Sequence, residues 1–501
     1  MSVRDGHKPA QSAGHIKKPG RDEHSRPKRQ ETIKIVIDPD RMAAYKALLR
    51  IDKSKAYSNI ELNAILSEMQ DVVNPAFVRE LVYGVIKNKR YLDYFIDALA
   101  RDGIEGVRRE IAILLRMGMY QIVFMDSVPD HSAVDETVKI TKLLFPGRDG
   151  FVNGLLRTFI RKRESYYSKP EHEAFLYTIT DATPSFEIER WNRKIPIPEI
   201  GDPVRRLSVM YSCDEGLVEL LASQYGLEAA ERNLVVSLET PPLFIRVNTI
   251  KTSSSDLAAS LRSQGFKAEE YYSMVYDPEP GHADSLMVSG HGILETKEFR
   301  DGLFFVQDAS STEAVKALSP KADEILIDVC AAPGGKSFSA AIEMEDRGVI
   351  HDMDLHANKL GALEKQAKRL GISCIDIEEH DAKTVNEKYI SAADKVICDV
   401  PCSGLGVLRR KPEIKDRPLA NDGRDLAEIQ YRILSASAEY VKPGGKLMYC
   451  TCTINKIENK EVTDRFLGEH VEFSKCCSQM TMPCSGGQDG FYYCIMQRTK
   501  N

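Results

Sequence analysis

Two thiols at the ends of apolar runs are the residues of this sequence best suited to covalent chemistry. Lys395-Val396-Ile397-Cys398-Asp399-Val400-Pro401-Cys402 and Lys446-Leu447-Met448-Tyr449-Cys450-Thr451-Cys452-Thr453 each read as a strand that ends in reactive residues. A thiolate is a strong nucleophile that also departs readily, so Cys402 or Cys452 could add to an electron-poor carbon and later leave. Asp399 adds a carboxylate to the first run. A third run, Ile325 to Ser337, reads as strand, tight loop and helix, with Cys330-Ala331-Ala332-Pro333-Gly334-Gly335-Lys336 as the loop. Gly334 and Gly335 let backbone N–H groups come close to a polar ligand, and a helix over residues 338–343 would face that ligand with its N-terminus. Asp354 ends the apolar run 349–353, twenty residues past Gly334. Doubly wound folds hold ribose hydroxyls at that place, so the ligand is expected to carry a ribose.

These residues need a scaffold that gathers several strand ends. The spacing of Leu360, Leu363, Ala367 and Leu370 predicts a helix over 358–370, a second helix is expected over 427–441, and Phe491 to Met496 reads as a closing strand. Strands alternating with such helices predict a parallel sheet, whose carboxyl edge forms a ligand crevice. Two cysteines, two carboxylates and the glycine loop would then share one pocket. The loop lacks the Gly-x-Gly-x-x-Gly of dinucleotide folds and the spacing of a phosphate loop. Cys330, Cys374, Cys398 and Cys450 read as small core thiols. No paired Cys-x-x-Cys spacing occurs among these cysteines, and no metal is expected.

The runs Val329-Cys-Ala-Ala-Pro-Gly-Gly-Lys336, Asp399-Val-Pro-Cys-Ser-Gly404, Arg409-Arg410-Lys411-Pro412-Glu413 and Thr451-Cys452-Thr453 resemble the motifs of the S-adenosyl-L-methionine-dependent RNA cytosine-5 methyltransferases. Over roughly residues 41 to 498 the chain is similar to the RsmB (Sun, Fmu) branch, bacterial 16S rRNA methyltransferases. The resemblance implies methyl transfer to carbon 5 of a cytosine in 16S rRNA or a small-subunit precursor, through a covalent bond from cysteine to carbon 6. Spacing leaves the attacking thiol open, whereas the family's Thr-Cys motif implies Cys452, with Cys402 resolving the adduct. It also implies that Lys336 reaches the same site and that Asp381 serves the adenosine side of the cofactor, S-adenosyl-L-methionine. Asp399 is expected to bond the edge of the base, and with residues 330–336 and Asp354 to line the cofactor site. Arg409, Arg410 and Lys411 are expected to steer the RNA backbone, so replacing the two arginines should weaken binding and flatten its salt dependence. Asp416 departs from the pattern, because the family often has a tryptophan there; the chain's single tryptophan is Trp191.

The 501 residues predict a multidomain chain. Residues 1–38 are basic and without apolar period, and are read as a disordered tail. Residues 39–165 carry helical periodicity, and the run from His131 to Val138, followed by Gly150 to Arg157, resembles the NusB fold, an RNA-binding helical module; Arg157, Arg161, Lys162 and Arg163 are candidate phosphate contacts. Residues 166–205 read as a connector, 206–305 as a small α+β subdomain in which Arg246 and Asn248 are either RNA contacts or a solvated strand end, and 306–501 as a Rossmann-like methyltransferase domain. The net charge of −6 speaks against a general nucleic-acid binder, so RNA affinity must come from local basic patches. Eleven cysteines, an odd number, fit a reducing compartment, and no run of 18 apolar residues occurs, so a cytoplasmic monomer free of the membrane is expected. The alternatives are a transfer RNA methyltransferase and a noncatalytic RNA-binding assembly factor; both thiols being present speaks against the second.

Overall fold

The computed structural model describes residues 36–54, 58–167, 200–272 and 283–500. The expected basic tail, Trp191 and most of the expected connector lie outside these residues. The N-terminal half is helical: α1 (Pro39–Ser54), α2 (Ser58–Glu68), α3 (Pro75–Lys87), α4 (Lys89–Leu99), α5 (Arg109–Phe124), α6 (Asp130–Leu144) and α7 (Asp149–Tyr167). Local chemistry fixes where α3 begins. Pro75 takes its first turn, where an N–H would lack an intrahelical partner, and the Asn74 side chain accepts from the Phe77 N–H at 3.0 Å. Helix α5 is buried continuously from Ile111 to Phe124, and α1, α3, α4, α6 and α7 pack around it. Of the expected phosphate contacts on α7, Arg157, Arg161 and Lys162 are exposed, whereas Arg163 turns inward to Asp130 and the Ile122 carbonyl.

Helices α8 (Pro203–Tyr211), α9 (Glu215–Tyr225) and α10 (Leu227–Val236) join the two halves of the molecule. Their apolar faces, with Leu207, Leu217, Leu221 and Leu234, share one core with Leu405, Leu408, Ile454 and Ile457 from the C-terminal half. A small antiparallel sheet follows, built of β1 (Leu243–Val247), β2 (Lys267–Tyr271), β3 (Ser285–Ser289) and β4 (Phe304–Val306) in the order β2–β3–β1–β4, with α11 (Ser254–Ser263) packed on it. Both RNA contacts expected here are overturned. Arg246 is fully buried, paired with Asp284 at 2.6 Å and Glu343 at 2.7 Å, and Asn248 donates to the Gly302 and Leu370 carbonyls at 2.9 Å each. They tie the small sheet to its neighbours, and neither is a solvated strand end.

The C-terminal half comprises α12 (Ala309–Leu318), β5 (Ile325–Asp328), α13 (Gly335–Glu343), β6 (Val349–Asp354), α14 (Ala357–Leu370), β7 (Ile375–Glu379), β8 (Ala393–Asp399), α15 (Arg424–Ala438), β9 (Val441–Thr451), α16 (Lys460–Glu469), β10 (Phe473–Thr481) and β11 (Phe491–Arg498). Its sheet runs β10–β11–β9–β8–β5–β6–β7, parallel from β9 to β7 and antiparallel at β11 and β10. An apolar layer covers each face. Helix α13 opens at Gly335, three residues before the expected start, and α15 ends at Ala438 because Val441 already belongs to β9. From β5 the chain first builds outward through β6 and β7, then returns to the other side with β8 and β9. That reversal leaves a crevice at the carboxyl ends of β5 and β8. Among the described residues no helix is long and apolar enough to cross a membrane.

Candidate active site

The carboxyl ends of β5, β6 and β8 carry Asp328, Asp354 and Asp399, and Cys452 follows the last residue of β9. A cleft of about 740 Å³ opens along this edge, and among the residues lining it are Cys330, Ala332, Asp354, Asp381, Asp399, Cys402 and Cys452. Ala331, Pro333, Gly334, Gly335 and Lys336 do not line it; Ala331, Gly334 and Lys336 are buried, whereas Pro333 is exposed. The Gly334 N–H is spent on the Ala331 carbonyl at 2.7 Å, which closes the turn rather than facing the cleft. Gly334 has φ of +104°, and a Cβ there would lie 2.7 Å from Phe338 Cε2, so glycine is required by the turn and by close packing on α13.

The two candidate nucleophiles meet. Cys402 Sγ and Cys452 Sγ are 3.4 Å apart, both half-buried. Their surroundings differ in sign. The hydrogen bond with Cys402 pushes the Cys452 sulfur below the ordinary cysteine range; burial and the Asp399 charge oppose this, and Lys411 and Lys336 assist it. The same bond, with burial and the nearby Glu458 carboxylate, pushes Cys402 well up. The two sulfurs are thus shifted in opposite directions, Cys452 down and Cys402 up. Cys330, Cys398 and Cys450 are all pushed up by burial.

Lys336 stands behind Asp399, its ammonium 2.6 Å from Asp399 Oδ2 and 5.1 Å from the centre of the Phe491 ring. Burial alone would lower Lys336; the charge and hydrogen bond of Asp399, with Cys450 and Asp328, together outweigh it and push the lysine up. Deeper in, Asp328 accepts from Ser337 Oγ at 3.0 Å, and burial together with the Asp399 charge pushes it to about 7. One wall of the cleft suits a nucleoside. Asp354 and Asp381 present carboxylates, and Val329, Leu355 and Ala382 add apolar surface to the same lining. The Lys383 backbone N–H, 3.1 Å from Asp381 Oδ1, holds that carboxyl below its usual range. Charged acceptors for hydroxyls beside an apolar slot for a base are what an adenosine moiety requires. Among the described residues no cluster of three or more His, Cys, Asp or Glu could hold a metal.

Comparison with known proteins gives the family. The family model described as 16S rRNA methyltransferase RsmB/F matches residues 315–497, the NusB family matches 38–161, and a Methyltr_RsmF/B-like ferredoxin-like domain matches 215–275. The probable ribosomal RNA small subunit methyltransferase B of Bacillus subtilis (strain 168) is 33% identical over 476 residues, which cover 91% of this chain and 98% of that relative. The chain belongs to the RsmB family of ribosomal RNA small subunit methyltransferases. As a family member it is a methyltransferase acting on ribosomal RNA, with S-adenosylmethionine as cofactor. Among solved structures, the crystal structure of PH0851 covers 92% of this chain and 99% of its own length, with TM-score 0.72 and 22% identity, and so shares the fold. A methyltransferase homologue from Pyrococcus horikoshii covers 60% of this chain and 99% of its own length, with TM-score 0.51 and 25% identity.

Within this RsmB-family site one sequence expectation fails. Arg409 does not face RNA: it is 3% exposed, and it donates to Asp489 Oδ1 at 2.6 Å, the Gly487 carbonyl at 2.6 Å and the Cys484 carbonyl at 3.0 Å. Arg410 also pairs with Asp489, and it reaches Asp308 Oδ2 at 3.2 Å and the Pro242 carbonyl at 3.0 Å. These bonds use up the guanidinium forks on carboxylates remote in sequence. Lys411 alone of the three lines the cleft. The packing near Asp416, left open by the missing tryptophan, is an ion pair with Lys89 and a 3.1 Å contact to Arg90 Nε, both on α4.

Sequence reasoning missed the residues that hold the two cysteine loops together. Glu458, wholly buried, accepts from the Ser403 N–H at 2.8 Å, Gln430 Nε2 at 3.0 Å and Asn455 Nδ2 at 2.9 Å. Asn459 accepts from Thr451 Oγ1 at 2.6 Å and donates to the Thr453 carbonyl at 2.8 Å. Ser403 Oγ and Thr453 Oγ1 lie 2.8 Å apart beside the sulfurs. The available signal was the run Asn455-Lys-Ile-Glu458-Asn459 between a strand and a helix, where polar residues often bond loop backbone.

Proposed function

We propose that this RsmB-family protein methylates carbon 5 of a cytosine in 16S rRNA or a small-subunit precursor, working as a monomer in the cytoplasm, through a transient bond from Cys452 to carbon 6. The observation that carries this reading is the 3.4 Å pairing of Cys452 with Cys402 in a cleft that also holds Asp399. Carbon 5 of cytosine is too weak a nucleophile to take a methyl group unaided. Addition of the Cys452 thiolate to carbon 6 pushes electrons into the ring and makes carbon 5 enamine-like. Asp399 accepts from the amino edge of the base, and Lys336 behind it balances that charge. Asp354, Asp381 and the apolar wall would hold S-adenosylmethionine, which when bound would supply an electrophilic methyl group on a sulfonium and leave as the neutral thioether. Once carbon 5 carries the methyl group, loss of its proton to a base returns electrons toward carbon 6. The carbon–sulfur bond then breaks, Cys452 leaves as thiolate, and Cys402 assists release. The target base must leave its stack to reach the thiols.

Bisulfite sequencing of total RNA from cells with and without the gene tests the proposal. One 16S cytosine is expected to lose its protection when the gene is absent. If every 16S cytosine stays unchanged, the substrate is wrong, and a lost transfer RNA signal would name the other substrate class.

A further inference from the structure

We infer that the helical N-terminal half acts as a brace for the RNA-facing rim of the cleft, with Glu413, Lys415 and Asp416 as positioning residues. The inference rests on reading the cleft as the RNA methyltransferase site. The rim is a short 3-10 helix, Pro412–Asp416, and such a helix has about three residues per turn, so side chains three apart share a face. Lys411, Ile414 and Arg417 share the face that lines the cleft. The other faces are held by the N-terminal half and by α8. Glu413 Oε2 accepts from Ser58 Oγ at 2.9 Å, at the start of α2. Asp416 is paired with Lys89 and Arg90 at the start of α4. The loop backbone is held too, since the Asp214 N–H donates to the Lys415 carbonyl at 2.7 Å.

Lys415 is the centre of this attachment. It has no exposed surface, and its ammonium donates to the Lys87 carbonyl at 3.1 Å and the Tyr211 carbonyl at 2.8 Å. Lys87 is the last residue of α3 and Tyr211 the last of α8. One side chain from the catalytic half thus caps two helix C-termini, where unpaired carbonyls and the helix dipole favour a cation. Packing alone would be served as well by an apolar side chain of similar volume. A lysine there makes the rim's position depend on where α3 and α8 end. The helical half thereby sets the geometry of Lys411, Ile414 and Arg417 over the thiols.

The test compares Asp416→Lys with Asp416→Lys/Lys89→Asp in the full-length protein, and adds Lys415→Met. Total tritium transfer from labelled S-adenosylmethionine to a 16S transcript gives KM and kcat, calorimetry gives cofactor affinity, and hydrogen exchange follows residues 403–419. The single variants are expected to raise the RNA KM about tenfold while cofactor affinity stays within about twofold, because misplacing a positioning group by a fraction of an ångström is enough. Exchange in 403–419 should rise with them, and the charge-swapped pair should recover most of both effects. Unchanged KM and exchange, an equal loss of cofactor affinity, or no recovery in the swapped pair would each overturn the brace. Should the wild type methylate an atom other than carbon 5, the proposed chemistry falls while this comparison still reads the brace, because total tritium and exchange do not depend on the atom methylated.

Discussion

The loop after Cys402 has two ends that look alike in sequence and behave oppositely in the fold. Arg409 and Arg410 turn inward and neutralise Asp489 and Asp308; Lys411 and Arg417 turn toward the cleft. Charge beside an active site therefore does not identify a phosphate contact. A buried carboxylate elsewhere in the chain can take a cation out of reach of RNA, since leaving that carboxylate unpaired in the interior is costly.

Substitutions can break this contrast. The largest effect is expected from Arg409→Leu, which takes from Asp489, itself 2% exposed, the fully buried one of its two arginine partners and leaves only the half-buried Arg410. Unfolding in urea should show a loss of about 3–5 kcal/mol, and whatever protein remains folded should bind RNA with an unchanged salt slope. A smaller, pH-dependent effect belongs to Lys415. Burial pushes its ammonium down to about 7, far below that of the unfolded chain, so between those values the unfolded state binds the extra proton and stability rises with pH. Relative to Lys415→Met, the wild type should gain about 3 kcal/mol from pH 7 to 10 and show no change in the difference below pH 7, measured by denaturant midpoints. Lys411→Ala sharpens the contrast with the least disturbance. Stability should stay within about 0.5 kcal/mol, while the slope of log affinity against log salt falls by about one. Because Lys411 helps hold Cys452 low, the rising limb of the activity–pH profile should also move to higher pH.

How far the sequence could be read follows from the same contrast. The strands β5, β6, β8 and β9 announce themselves because both faces of each are covered, which demands near-continuous apolar runs, and the reactive residues sit at their ends. Strands β7 and β10 escaped notice. They are the two edges of the sheet, and β10 is largely exposed from Ser474 to Ser478, so no buried run marks it. Arg409 was misread because its partner Asp489 lies 80 residues downstream. The same holds for Asp416, whose partner Lys89 is 327 residues upstream, and for Arg246 with Glu343, 97 residues apart. Local pattern gives periodicity and motif, but long-range ion pairs are set by tertiary packing. The pairing of Cys402 with Cys452 was legible as a shared edge; the opposite shifts of the two sulfurs were not, because they arise first from the hydrogen bond between them and from burial, and only then from charges that the fold brings near, such as Asp399, Lys411 and Glu458.

The most direct measurement is covalent trapping. Cys402→Ala, incubated with S-adenosylmethionine and a 16S transcript and then denatured, should migrate as a protein–RNA adduct, and the adduct should vanish in Cys402→Ala/Cys452→Ala. An adduct formed by Cys452→Ala but not by Cys402→Ala would reverse the two roles and contradict the assignment of the thiolate to position 452.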